Sequence, residues 1–121
     1  MKKLLLTAVA ALALTMGTVE AASKPKSVIH VVTVKWKAGT TPEQIDAALK
    51  GAETVANSYK GIERVWTRAI KVQGAGYTHA IVMEFKDEAA LKNYTDSPAQ
   101  KEWYKVYLPI REQSTTHDIT N

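Results

Sequence analysis

The chain has 121 residues, no cysteine and a formal net charge of +4. Its length is that of one domain, and the lack of cysteine excludes disulfides, thiolate metal sites and a cysteine nucleophile. Hydrophobic residues make up 45% and charged residues 23% of the sequence, which is typical of a globular protein. The basic residues are dispersed among acidic ones, so the sequence predicts no nucleic-acid partner.

Residues 1–21 have the layout of a secretory signal peptide. Two lysines near the start precede an apolar run over residues 4–16, and small residues follow up to Ala21. The run is shorter than the ~20 apolar residues that cross a bilayer. We therefore predict cleavage after Ala21 or Ala22, with retention as an anchor as the alternative. The expected mature protein is secreted or periplasmic and has no membrane contact after cleavage.

The folded domain is predicted over residues 28–121, after a mobile leader at residues 22–27. Its first element is a strand over residues 28–36, a run rich in β-branched residues that ends shortly before Gly39. Side chains of a strand alternate between its two faces. One face of this strand carries Val28, His30, Val32, Val34 and Trp36.

A helix is predicted next. Thr41 and Gln44 have the spacing of a capping box, Pro42 suits the first helical position, and apolar residues then recur at helical spacing until Gly61 ends the helix. Two extended segments follow, over residues 62–72 and 78–85, separated by a glycine-rich turn. Imperfect alternation in the first of these predicts a bulge or an edge position.

Two short helices and a last strand complete the predicted order. Asp87 caps the first helix, and Ser97 with Gln100 forms a second capping box that starts a new helix. Pro109 ends that helix, and residues 114–119 suit a final strand. The order β-α-β-β-α-β, with its second helical region broken, predicts a ferredoxin-like α+β fold with four antiparallel strands and helices on one face.

The face of the sheet opposite the helices is also apolar. We expect it to carry Ile29 and Val31 of the first strand and Ala80 and Val82 of the third, or the residues of opposite parity on the same strands. A second copy of the chain would cover this face. We therefore predict a homodimer in which two sheets form a dimeric α+β barrel.

Three residues are candidate catalytic groups. His30 and His79 lie near the starts of two strands that are neighbours in this fold, so we expect the two imidazoles to lie close together at one end of the sheet. Tyr94, on the following helix, is expected to close over them as a hydrogen-bond donor. Imidazole can act as a base for proton abstraction beside a carbonyl. The alternative is that all three are structural core residues.

Apolar residues are expected to line a cavity between the sheet and the helices and to bind its ligand. Packing within a filled core is the alternative interpretation, above all for the aromatic stripe of the last helix. The candidate ligand-binding residues are Val32, Trp36, Ile81, Met83, Trp103 and Tyr107.

The sequence predicts neither a metal site nor a cofactor. Its three histidines are spread from His30 to His117 without a closely spaced pair of ligands. The glycines around Ala75 open no helix and so form no phosphate loop. No serine nucleophile elbow is present.

These motifs, taken in order, resemble the stress-responsive A/B barrel (Dabb) family. The resemblance implies a dimeric ferredoxin-like barrel, a family mostly of undetermined function. The motifs that carry it are Ile29–Val32, Lys35–Lys37, Gly76–His79, Phe85, Tyr94–Pro98 and His117–Asp118.

The pattern is also similar to a cofactor-free polyketide cyclase of that family, olivetolic acid cyclase. The resemblance implies that His30, His79 and Tyr94 are cavity residues. Gln100 stands where the cyclase has a catalytic histidine, and Ser97 stands where the family often has a histidine. Gln100 cannot act as a general base, so any acid–base role would fall to His79 or His30.

The function expected from the sequence is that of an exported homodimer that binds a small, mostly apolar molecule of phenolic or polyketide-like type. Histidine-mediated proton transfer in the cavity would accompany binding. The alternatives are a cofactor-independent cyclase, lyase or isomerase, and a stress-associated structural dimer without a ligand.

Overall fold

The computed structural model describes residues 21–121, which form a four-stranded antiparallel sheet with three helices on one face. The strand order is β2-β3-β1-β4, which confirms the predicted ferredoxin-like α+β fold. The predicted signal peptide lies, apart from its last residue, outside the described residues. The elements are β1 Val28–Trp36, α1 Pro42–Ser58, β2 Ile62–Trp66, β3 His79–Phe85, α2 Glu88–Tyr94, α3 Pro98–Tyr107 and β4 Arg111–Ile119.

Strand β1 lies in the middle of the sheet, between β3 and β4. Its bounds are those predicted from the sequence, because its β-branched residues suit a position with both faces covered. Val28, Val32 and Val34 are buried on the helix side. Burial of each such side chain contributes about 1.5–3 kcal/mol to folding.

Helix α1 begins at the predicted capping box. The backbone N–H of Gln44 donates to the Thr41 hydroxyl at 3.2 Å, and the Thr41 N–H donates to the Gln44 side chain at 2.9 Å. The predicted end at Gly61 was wrong, because the helix stops at Ser58. Tyr59 leaves the helical conformation and closes the last turn with an N–H···O bond of 2.8 Å to Val55.

The end of β2 differs from the prediction. β2 ends at Trp66 rather than at residue 72, because its pairing with β3 ends at Val82. The chain then turns through Gly74 and Gly76, both with positive φ, before β3 begins. The predicted irregularity is present, as a register shift between Ile62 and the third residue of β2.

Strand β4 begins at Arg111, three residues before the predicted start at Ser114. Its pairing with β1 shifts register near Trp36, which is the signature of a β-bulge. A bulge interrupts the alternation of side chains between the two faces. The first residues of β4 therefore show no hydrophobic alternation in the sequence that would mark the start of the strand.

The core lies between the helix side of the sheet and the helices. It includes two tyrosines, and its largest fully buried side chains are Tyr94, Tyr107, Phe85, Ile81, Met83 and Val34. No helix within residues 21–121 is long and apolar enough to cross a membrane.

The opposite face of the sheet is partly open. Trp66 is 47% exposed and Ile119 is 58% exposed. Between them Glu84 is buried, where it accepts hydrogen bonds from Arg64 and, at 2.7 Å, from the Ser27 hydroxyl. The hydrogen bond from Arg64 and then that from Ser27 lower the pKa of Glu84, so the pair stays ionised.

The segment predicted as a leader has no regular secondary structure but contacts the C-terminus. The Thr120 hydroxyl donates to the Ser27 carbonyl at 2.9 Å, and the Asn121 side chain donates to the Pro25 carbonyl at 2.7 Å. These bonds hold residues 25–27 beside the end of β4.

Candidate functional site

A cavity of about 470 Å³ lies between the helix side of β1 and β4 and the helices α2 and α3. It exists because β4 packs mainly on β1 and presents polar side chains to the helix side. The helices provide an apolar and aromatic wall, and β4 provides a polar one. The wall from the helices includes Leu91, Tyr94, Trp103 and Tyr107, and that from β4 includes Ser114 and Thr116.

His30 and Asp118 form a hydrogen-bonded pair at one end of the cavity. The two residues face each other across the β1–β4 pairing, and Nδ1 of His30 lies 2.5 Å from Oδ1 of Asp118. The carboxylate accepts a hydrogen bond from Nδ1–H, which fixes the tautomer and leaves Nε2 free to accept a proton. Among the described residues, Nε2 has no hydrogen-bond partner.

Aromatic rings hold the His30 imidazole from the core side. Its ring centroid lies 5.8 Å from that of Phe85 and 6.5 Å from that of Tyr94, both in edge-to-face contact. The Asp118 side chain is 43% exposed, so the pair lies at the boundary between core and solvent. A base in this position is accessible to a ligand and is held in one orientation.

Two tyrosines that line the same cavity carry buried hydroxyls without a partner. Tyr94 and Tyr107 are each 2% exposed, and neither hydroxyl completes a hydrogen bond with any described residue. Burial raises the pKa of both, more than the nearby Gln100 and Arg111 side chains lower it, so both stay protonated donors. An unpaired buried hydroxyl costs about 1–3 kcal/mol, a cost that a ligand offering an acceptor would remove.

Gln100 is buried and takes part in the site differently from the prediction. The Ser97 hydroxyl accepts from the Gln100 N–H at 3.2 Å, as expected, but the Gln100 carbonyl accepts from the Asp96 N–H at 2.7 Å instead of the Ser97 N–H. Its amide N–H then donates to the Tyr104 hydroxyl at 3.1 Å. Asp96, the residue that donates this bond, has a positive φ at the turn between α2 and α3.

His79 does not lie beside His30, so the expectation that the two imidazoles are adjacent was wrong. β1 and β3 are antiparallel, and His79 pairs with Val34 whereas His30 pairs with Met83. The four-residue offset between these pairs separates the histidines by roughly 13 Å along the strand. Two early positions on antiparallel neighbours lie at opposite ends of the sheet.

At its own end of the sheet His79 has a structural neighbour. The Trp36 indole N–H donates to Nδ1 of His79 at 2.9 Å, and the Thr78 hydroxyl also lies 2.8 Å from this nitrogen. Because an indole can only donate, Nδ1 of His79 is an acceptor and its proton is on Nε2.

The predicted ligand-binding residues divide into two groups. Val32, Trp103 and Tyr107 line the cavity. Ile81 and Met83 lie in the closed core, and the remaining member of the set, Trp36, contacts His79 and Tyr107 instead. Among residues 21–121 there is no cluster of metal-ligating side chains.

Comparison with known proteins places the chain in a family. The model of the stress-responsive A/B barrel domain, Dabb, matches residues 28–121. The chain belongs to the Dabb family. A stress-response A/B barrel domain-containing protein from Arabidopsis thaliana is 28% identical over 82 residues, covering 65% of this chain and 75% of the relative.

Solved structures share the Dabb fold at lower identity. The hydroxynitrile lyase of Passiflora edulis is 22% identical with a TM-score of 0.70, covering 78% of this chain and 93% of that one. A dimeric ferredoxin-like protein of unknown function from Bacteroides fragilis is 16% identical with a TM-score of 0.66, covering 82% of this chain and all of the other. At these identities the likeness shows the fold.

Sequence reasoning missed the cavity residues of β4 in this Dabb domain. Arg111, Ser114, Thr116 and Asp118 all line the cavity, yet none was a candidate. One signal was available for Asp118: antiparallel pairing of the first and last strands places the end of β4 beside the start of β1, where His30 lies. No such signal existed for Arg111, because its position depends on the bulge.

Proposed function

We propose that this Dabb protein binds a small, mostly apolar organic molecule, of phenolic or polyketide-like type, in the cavity between β1, β4 and the helices. The observation that carries the proposal is the pair of buried hydroxyls of Tyr94 and Tyr107, which belong to residues of the cavity lining and have no hydrogen-bond partner among the described residues. Native structures rarely leave buried polar groups unpaired. A ligand with an aromatic or aliphatic body and one or two oxygen acceptors would pair them.

The size and lining of the cavity support the same class of ligand. A volume of about 470 Å³ lies within the ~300–1,000 Å³ range of small-molecule sites. Trp103 and Tyr107, whose rings stack on each other 4.5 Å apart and 9° from parallel, contribute aromatic surface to the lining. Aromatic walls of this kind favour planar ligands.

A second candidate function is cofactor-independent proton transfer, which would make the protein a lyase, isomerase or cyclase. The His30–Asp118 pair favours it, because a carboxylate-oriented imidazole beside a cavity is the arrangement of a general base. Tyr94, within ring contact of His30, would donate to a developing oxyanion. In this proposal His79 has no role in the reaction, since it lies at the other end of the sheet.

The proposal includes a homodimer and export. Support for the dimer is the exposed apolar side of the sheet together with the dimeric Bacteroides fragilis protein of the same fold. Support for export is the signal-peptide pattern of residues 1–21. N-terminal sequencing of the mature protein should begin at Ala22 or Ser23, and an intact Met1 on the mature protein would refute cleavage.

Ligand binding is tested with 2-naphthol, a planar phenol that fits the proposed class, by isothermal titration calorimetry. We expect micromolar binding to the wild type and at least tenfold weaker binding to Thr116→Trp, which fills the cavity from the exposed strand. The matched control is Lys101→Trp, which places the same residue on the exposed surface of α3. Unchanged affinity in a folded Thr116→Trp, or no binding to the wild type, would refute the proposal.

A further inference from the structure

The β-bulge in β4 decides which of its first two residues lies on the cavity side. Arg111 lies there, and Glu112 does not. Lys35 pairs with Gln113, but Trp36 pairs with Arg111 instead of Glu112. Glu112 consequently joins Lys35 on the far side of the sheet, with Oε2 3.3 Å from the lysine Nζ. Without the extra residue, Glu112 would occupy the cavity side. Bulges near functional sites commonly redirect a side chain in this way.

The redirected Arg111 side chain lies against the aromatic wall. Its guanidinium carbon lies 5.4 Å from the centre of the Tyr107 ring, in cation–π contact, and Tyr107 in turn stacks on Trp103. Such a contact holds the guanidinium against the ring. Arg111 is half-buried and lines the cavity.

Arg111 has no acidic partner among the described residues. Of the other basic residues of the lining, His30 is paired with Asp118 and Lys92 is exposed. No ion pair within residues 21–121 includes it. Glu88 and Lys92, two other charged residues of the lining, lie exposed on α2. Asp118 at the opposite end is bound to His30. The unpaired positive charge of the cavity interior is therefore that of Arg111.

The Tyr107 hydroxyl adds a second free donor beside this cation. Arg111 and Ser114 approach it closely enough to lower its pKa against the larger effect of burial, but it completes no hydrogen bond. A guanidinium and a phenol with free N–H and O–H groups are complementary to a planar oxyanion, which accepts from both.

We propose that Arg111 and Tyr107 form an anion subsite, and that the ligand of this cavity carries a carboxylate. The ligand's carboxylate binds Arg111, its apolar body lies on Trp103 and Val32, and its far end approaches His30. This inference rests on the proposed binding function and narrows its ligand class to small aromatic or aliphatic carboxylic acids.

The test compares two ligands of the same shape and different charge, 2-naphthoic acid and 2-naphthamide, by isothermal titration calorimetry at pH 7. We expect the wild type to bind the acid at least tenfold more tightly than the amide. Arg111→Gln should lose this preference while still binding the amide, and Tyr107→Phe should reduce it about threefold. Lys92→Gln removes a cation from the rim of the same cavity and should keep the preference.

The outcomes separate this inference from the function on which it rests. Equal binding of acid and amide by the wild type, or a preference that survives in a folded Arg111→Gln, would overturn the anion subsite and leave ligand binding intact. A preference lost in Lys92→Gln but kept in Arg111→Gln would place the anion at the rim and also overturn it. If the wild type binds neither naphthalene compound nor 2-naphthol, both proposals fail.

Discussion

At the scale of single residues, the His30–Asp118 pair is the group most directly suited to chemistry. A carboxylate 2.5 Å from Nδ1 orients the imidazole, as in other base–carboxylate pairs. The pair spans two strands of one sheet, so its geometry depends on backbone pairing rather than on a flexible loop. That rigidity is what a general base requires, because proton transfer depends on distance and angle.

We predict that this pair accelerates the ring opening of 5-nitrobenzisoxazole, a one-step elimination in which removal of the C3 proton forms a nitrile, breaks the N–O bond and gives a coloured phenolate. His30→Gln should lower kcat/KM about 100-fold, the usual contribution of a general base. Asp118→Asn should lower kcat about tenfold and leave KM unchanged, because Asp118 positions the base without contacting the substrate.

Two other histidines serve as controls for this reaction. His79→Gln and His117→Gln should both keep the wild-type rate, since neither residue lines the cavity. Rates are followed by phenolate absorbance, with the thermal midpoint of each variant as a check on folding. An unchanged rate in His30→Gln, or an equal loss in His79→Gln, would contradict the assignment of the base.

At the scale of elements, the approach of α1 to α3 sets the position of the aromatic wall. A Cβ at Gly51 would lie 2.6 Å from Cδ1 of Trp103, so only glycine allows this separation. The Trp103 indole cannot move away freely, because its N–H donates to the Ala48 carbonyl at 2.8 Å and its ring stacks on Tyr107. One small residue on α1 thus fixes one side of the cavity.

We predict that Gly51→Ala destabilises the protein by about 1–3 kcal/mol, measured by urea unfolding. The helix propensity of alanine favours the variant by about 1 kcal/mol, but the clash with a rigid ring outweighs it. The same substitution in a Trp103→Phe background should be neutral or stabilising, because the smaller ring leaves room. Stabilisation of the otherwise wild-type chain by Gly51→Ala would contradict this packing argument.

Elements were more predictable from the sequence than contacts between them. Local signals fixed β1 and the start of α1, since β-branched residues and the Thr41–Gln44 capping box act within a few residues. The His30–Asp118 pair and the position of Arg111 depend on strand register and on a bulge, which join residues far apart in sequence. The misplacement of His79 has the same cause, because strand direction decides which end of the sheet a residue occupies.

At the scale of the whole molecule, the sheet face opposite the helices is only partly covered in a single copy. It carries Trp66 and Ile119, both well exposed, around half-buried Val31 and Val82. The buried carboxylate of Glu84 on this face forms an ion pair with Arg64. A second copy that covers the face would therefore not bury this carboxylate without a partner. Such a face suits a second copy of the same sheet, which would present the same apolar groups.

We predict that the mature protein sediments as a dimer at micromolar concentration and that Val31→Lys makes it monomeric. Two-fold symmetry places the new charge in the interface twice, and burying an unpaired ammonium is costly. Val106→Lys is the matched control, because Val106 is exposed on α3, on the other side of the molecule, and the variant should remain dimeric. A folded wild type that sediments as a single copy, or a Val31→Lys variant that remains dimeric, would refute pairing through this face. Binding of 2-naphthol by monomeric Val31→Lys would further show that the cavity, which lies on the helix side, does not need the second copy.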